Sequence, residues 1–148
     1  MLEITKLVAT LCCGAFFGAA LYVSLVQHPA TLETGNDFAL RFFPAMYGRA
    51  AIVQASLAVA GCVAGVLAWL SGAGRWWLVA AVLLGSVVPF TLIVIKPVND
   101  ALLAGPGKAA TIEVDALLVR WGYLHWTRTV ASGLAFVTCL VAIVRRAA

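Results

Sequence analysis

The sequence predicts an all-α integral membrane protein: an antiparallel four-helix bundle with an interfacial segment between helices 1 and 2 and an extended fourth helix. Three observations carry this. Of 148 residues, 64% are hydrophobic and 11% charged, and the mean hydropathy is +1.03, against roughly 45–50% apolar and 25% charged residues in soluble domains. Apolar runs recur at lengths near the ~20 residues a helix needs to cross a hydrocarbon core about 30 Å thick. The breaks between the runs are short and turn-like, and no Ser-, Gln- or Pro-rich linker divides the chain. A single domain over residues 1–148 follows, with spans at about 7–26, 50–70, 76–95 and 117–144.

The first span, Leu7 to Val26, carries no charge. Gly18, Ala19 and Ala20 imitate a signal-peptidase site, but the apolar run continues through Leu21, Tyr22, Val23 and Leu25, beyond the end of a short signal h-region, so the span is read as retained. His28-Pro29 marks its exit. Between Pro29 and Gly48, the charges Glu33, Asp37 and Arg41 interleave with Phe38, Phe42, Phe43 and Tyr47, the pattern of a helix lying in the interface.

Ala50 to Leu70 is the second span. The break Ser71-Gly72-Ala73-Gly74 allows only an antiparallel hairpin into the third, Trp76 to Ile95. Pro89 and Pro97 bracket a segment that reads as a broken helix end, whose freed carbonyls need partners. Loop three, Pro97 to about Thr111, contains Gly105, Pro106 and Gly107 and, with loop one, would roof one end of the bundle. Val130 to Val144 is short for a span, but a helical pattern extends back to about Ile112, with Gly122 its early weak point. Trp76 and Trp77 at one end, and Trp121, Tyr123 and Trp126 at the other, resemble interfacial aromatic belts. Gly14 with Gly18, and Gly61 with Gly65, predict close helix approach.

Several function classes are disfavoured. Ten Lys and Arg against six Asp and Glu are scattered rather than gathered in a basic patch, which argues against nucleic-acid binding. The four cysteines, Cys12, Cys13, Cys62 and Cys139, lie in apolar runs with no Cys-x-x-Cys, so they read as packing rather than dithiol chemistry or zinc ligation. Two histidines do not make a metal site; Glu33, Asp37, Glu113 and Asp115 are available ligands only, and no metal is expected.

Helix alternation gathers the polar residues at one membrane face. Gln27 and His28 end span one, Arg49 and Gln54 open span two, Thr91, Lys96 and Asn99 end span three, and Arg120, His125 and Arg128 open span four. The other face has Lys6, Arg75, Arg145 and Arg146, ordinary headgroup anchors, and its lack of further polar groups argues against a channel or transporter. Trp121, His125 and Arg128 are spaced i, i+4, i+7, one helical stripe that Ser132 continues. An Arg inside a span is costly unless it snorkels or finds a partner, which makes Arg128 either a headgroup contact or a functional group. His125 is either a general base or a satisfied structural imidazole. Asn99 either caps the broken third helix or holds a substrate oxygen.

The run Lys96-Pro97-Val98-Asn99-Asp100-Ala101-Leu102, followed by Trp121-x-x-x-His125-x-x-Arg128, resembles the anthrone oxygenase-like family of small, mostly uncharacterised membrane proteins. Gly18, Tyr22 and the His28-Pro29 exit extend the resemblance over essentially the whole chain. Many members carry Asn-His or Asn alone where this chain has Leu124-His125. The resemblance implies a four-helix bundle with a pocket at Asn99, Trp121, His125 and Arg128, and oxidation of anthrones to anthraquinones without a recognised cofactor, molecular oxygen being the co-substrate. An anthrone is planar and apolar, so it would partition into a bilayer and reach a bundle laterally. On this expectation His125 is the base, Arg128 and Asn99 stabilise the oxyanion, and Trp121, Thr91, Gln54, His28 and Tyr22 bind substrate. The alternative is a non-enzymatic membrane module that binds a lipid, a quinone-like ligand or a partner helix through the same end. The expected partners are membrane lipid and a small apolar aromatic; a homo-oligomer is compatible with both readings, and a bacterial inner membrane is the expected location.

Overall fold

Four helices long and apolar enough to cross a membrane make up the computed structural model, which describes residues 1–105 and 111–147. Helix α1 is Leu2–Glu33, α2 is Asn36–Ala73 and α3 is Arg75–Leu103; α4 is Thr111–Ala147. Each helix lies against its neighbours in the chain and α4 closes back on α1, while α1 and α3, and α2 and α4, barely touch. The result is an up-down-up-down bundle. Between 28% and 33% of each span is buried inside the bundle, and Ile52, Leu70, Ile93 and Val144 point outward. So apolar an exterior is what a hydrocarbon solvent requires.

The helix boundaries follow from glycine and proline. Gly35 and Gly74, both at φ +96°, start α2 and α3 in a left-handed conformation that costs glycine little. The amphipathic stretch expected as an interfacial segment is helical and runs on without interruption into the second span, with Pro44 inside it. Its buried residues Ala39, Leu40 and Phe43 pack against the end of α3 and the start of α4. Phe38 stays exposed and stacks on Phe42 at 5.5 Å.

The third span is not broken, contrary to the sequence expectation. Pro97 is accommodated by a wide π turn at Thr91–Ile95, and Pro29 by another at Val23–Gln27. A proline ring clashes with the carbonyl four residues earlier and offers it no N–H. Those carbonyls belong to Leu25 and Ile93, both inside the wide turns, so the helix absorbs each proline by widening rather than ending. The helix therefore continues through Asn99 to Leu103. Of the glycine and proline residues expected to roof that end, Pro106 and Gly107 lie outside the described residues.

Small residues set the helix spacing. A Cβ at Gly61 would stand 2.5 Å from Leu84 and 2.8 Å from Cys12, and one at Gly65 would stand 2.9 Å from Ala81. Gly14 is likewise required by Phe136, at 2.9 Å, but Gly18 faces open space and plays no part in close approach. Cys13 and Cys139 meet between α1 and α4 with their sulfurs 3.9 Å apart, in ordinary packing contact. Trp77, expected as a lipid anchor, is 0% exposed and belongs to the core. Trp121 is also buried, whereas Trp76, Tyr123 and Trp126 do face outward.

Candidate functional site

Two apolar clusters fill the bundle. One, rich in Ala and built around Phe16, Trp77 and Leu84, occupies the hairpin end; the other, around Phe43, Leu102, Leu118 and Trp121, closes the loop end. Between them lies a cavity of about 160 Å³, to which all four helices contribute. Helix α1 supplies Phe16 and Val23, α2 supplies Met46, Tyr47, Gln54 and Ala58, α3 supplies Val87, Val88, Thr91 and Leu92, and α4 supplies Trp121, His125 and Arg128.

The α4 residues share one face because of their i, i+4, i+7 spacing. Trp121 stacks on His125 with ring centroids 4.8 Å apart and planes 25° apart, and Phe43 meets the indole edge-on at 5.7 Å. The indole N–H donates to Asn99 Oδ1 at 2.8 Å. His125 Nδ1 lies 2.9 Å from Ser24 Oγ, which lies 2.9 Å from Thr129 Oγ1. Ser24 stands in the wide turn of α1, a feature often found at functional positions.

Arg128 donates from its guanidinium to the Gln54 side-chain oxygen and lies 5.5 Å from the centre of the Phe16 ring. Among the described residues no carboxylate reaches it: the ion pairs are Lys6 with Glu3 and Lys96 with Asp100. Its Nε is buried with no hydrogen-bond partner. A guanidinium held this way, on a neutral acceptor and beside the Phe16 ring, has no carboxylate among the described residues to offset its charge at the cavity wall. The described residues bring no three of His, Cys, Asp and Glu together.

Of the residues singled out from sequence, the cavity gathers His125, Arg128, Trp121, Gln54 and Thr91. The Thr91 hydroxyl is occupied, donating to the Val87 carbonyl at 2.6 Å. Three others stand elsewhere. Asn99 neither caps a helix end nor reaches the cavity, because α3 continues past it and its amide is turned onto Trp121. His28 borders a separate recess of about 10 Å³ with Gln27, Thr31 and Phe42, its ring 5.0 Å from Trp121. Tyr22 is 57% exposed on the outer face, about 200° around the helix from the buried Ala20.

Ser24, Thr129, Met46 and Tyr47 were not singled out as site residues. A signal for the first two exists: Ser24 with His28 on α1, and His125 with Thr129 on α4, are polar pairs at i, i+4 in otherwise apolar runs.

The profile described as anthrone oxygenase matches residues 43–138. The chain belongs to the anthrone oxygenase family. The matched stretch includes Gln54, Thr91, Asn99, Trp121, His125 and Arg128, while Ser24 and His28 precede it. An anthrone oxygenase of Aspergillus fumigatus is 34% identical over 136 residues, 85% of this chain and 84% of that protein. Anthrone oxygenases of Paecilomyces divaricatus and Aspergillus novofumigatus are each 30% identical, over 78% of this chain and 81% and 79% of theirs. These relatives are fungal and lend no support to the bacterial inner membrane expected from sequence. No solved structure matches the chain.

Proposed function

We propose that this member of the anthrone oxygenase family is a membrane-embedded oxygenase that oxidises a lipid-soluble, anthrone-like aromatic with molecular oxygen, using no resident metal or organic cofactor. The observation that carries the reading is Arg128: a guanidinium with no carboxylate partner among the described residues, on the wall of an apolar cavity beside a histidine. A neutral apolar substrate has no need of such a charge. An anion generated from that substrate inside the cavity does.

The chemistry follows from the groups present. His125 removes a proton from the activated methylene and the electrons delocalise onto the ring oxygen, where Arg128, oriented by Gln54, offsets the new charge. The electron-rich carbon reduces dioxygen, forming a C–O bond and a hydroperoxide that takes its proton from the imidazolium. Removal of the second methylene hydrogen then breaks the O–O bond, the carbon becomes a carbonyl, and the departing oxygen leaves as water. Anthrone and dioxygen thus balance against anthraquinone and water.

The cavity, about 160 Å³, is close to the ~150 Å³ that holds a benzene in an engineered protein core. It accommodates one ring and the reacting carbon. The remainder of a fused aromatic would extend outward between α2 and α3, where Ala55 and Leu92 line the cavity and are also exposed. Trp121, held by Asn99, contributes an aromatic wall to the cavity beside the ring.

The test is oxygen consumption and anthraquinone absorbance with purified protein in detergent, after metal analysis, comparing wild type with His125→Ala and Arg128→Ala. Turnover by metal-free protein that falls at least about 100-fold in each variant supports the reading. Tight binding of the aromatic with no turnover by any form would replace it with a ligand-binding membrane module.

A further inference from the structure

We infer that Ser24 and Thr129 set the tautomer of His125, keeping its proton on Nδ1 and leaving Nε2 as the basic nitrogen; the inference deepens the catalytic role proposed for His125 and rests on it.

The argument is a count of protons. A hydroxyl has one proton to give, a carbonyl oxygen only accepts, and a neutral imidazole carries one N–H. Thr129 Oγ1 lies 3.3 Å from the Ala20 carbonyl oxygen and 3.2 Å from that of His125, so its single proton is shared between two groups that can only accept. The Ser24–Thr129 contact at 2.9 Å is then a hydrogen bond only if Ser24 donates. With the Ser24 proton spent, the contact at 2.9 Å between Ser24 Oγ and His125 Nδ1 is a hydrogen bond only if Nδ1 carries the proton. The chain runs His125 Nδ1–H to Ser24, Ser24 O–H to Thr129, and Thr129 O–H to the main chain. Every proton has an acceptor. The reverse order would leave both carbonyl contacts without a proton and place one on Nε2, making that nitrogen a donor rather than a base.

The relay is anchored on two helices. Ser24 is on α1 in the wide turn Val23–Gln27, Thr129 is one turn beyond His125 on α4, and the terminal acceptors include a main-chain oxygen of each helix. Ser24, His125 and Thr129 are all nearly inaccessible, so water does not compete for these bonds. Nε2 has no hydrogen-bond partner among the described residues, and the ring lines the cavity. Ser24 is therefore a positioning residue: it acts on substrate only through the imidazole.

The chain has two histidines, so two-bond proton–nitrogen correlations on protein labelled with ¹⁵N-histidine, above neutral pH in nanodiscs, resolve them once His28→Gln identifies the His125 signals. The expected wild-type spectrum shows His125 protonated at Nδ1, opposite to the tautomer favoured by a histidine side chain in water. Ser24→Ala should move the proton to Nε2, and Ser24→Thr, which retains the hydroxyl, should keep it on Nδ1. A wild-type proton on Nε2 overturns the inference without any variant, and so does a Ser24→Ala spectrum unchanged from wild type. Turnover is read separately, with Ser24→Ala expected to lose a share of the roughly 10²–10⁴-fold that a positioned base contributes. If the tautomer is as expected and no form turns over anthrone, the oxygenase reading fails while the tautomer assignment stands. If turnover requires His125 but Nε2 carries the proton, the assignment fails and the oxygenase reading stands.

Discussion

The indole N–H of Trp121 donates to the side-chain oxygen of Asn99 at 2.8 Å, joining α4 to the last turns of α3 where both side chains are buried. Neither group has water as an alternative partner, so losing one leaves the other unsatisfied. Asn99→Ala should lower unfolding stability in detergent by about 1–2 kcal/mol. In a Trp121→Phe background, where there is no N–H to satisfy, the same substitution should cost clearly less. Equal costs in both backgrounds would show that the bond contributes nothing.

Gly122 reads from sequence as a weak point in a helix, and the fold gives it a purpose. A Cβ there would stand 2.7 Å from Nε2 of His28 and 2.9 Å from Cδ2, so the glycine makes room for an imidazole from the neighbouring helix. Gly122→Ala should destabilise the protein by about 1–3 kcal/mol through overpacking, despite alanine's better helix propensity. With His28→Ala the obstruction is gone, and Gly122→Ala should become neutral or stabilising. Thermal unfolding of the four forms measures the coupling.

The spans, the hairpin and the inward stripe of α4 were legible because each rests on period and length: Trp121, His125 and Arg128 need only 3.6 residues per turn to share a face. Tyr22 faces outward rather than into the site, and an almost uniformly apolar α1 offers no polar period on which to orient it from sequence. Asn99 was misread because two prolines look like a helix end, whereas wide turns let α3 continue and direct the amide onto Trp121. Ser24 has only a weak local signal, its i, i+4 pairing with His28, because its meaning depends on Thr129, 105 residues away in sequence. Trp77 shows the same limit, since an indole near a span end reads as an anchor until the neighbouring helices bury it.

Lateral access between α2 and α3, which the proposed function requires, can be tested. Ala55 lines the cavity and is exposed, so a larger side chain there would obstruct the proposed route without disturbing the core. Ala55→Phe should raise KM for a fused-ring substrate several-fold, with unfolding stability within about 0.5 kcal/mol of wild type. Ala60→Phe, also exposed on α2 but away from the cavity, is the control and should leave KM unchanged. Equal effects of the two substitutions would place the access route elsewhere.

Gln54 is the partner through which the proposed use of the Arg128 charge can be tested. Its neutral oxygen accepts from the guanidinium and orients it without cancelling its charge. Gln54→Glu has nearly the same shape and supplies a carboxylate at the same position, so it forms an ion pair and spends on the protein the charge proposed for the substrate anion. The bundle should tolerate the change, because an ion pair that keeps its hydrogen bond leaves neither charge alone in an apolar setting. Turnover should not: kcat is expected to fall by about 10²–10³-fold, the usual effect of losing an oxyanion-stabilising donor. Gln54→Met leaves the charge in place but removes its orienting partner, and its loss should be smaller. This order separates electrostatic use of Arg128 from mere packing. If Gln54→Glu retains wild-type kcat while remaining folded, Arg128 does not act on a developing anion, and its place on the cavity wall has to be explained by the bundle alone.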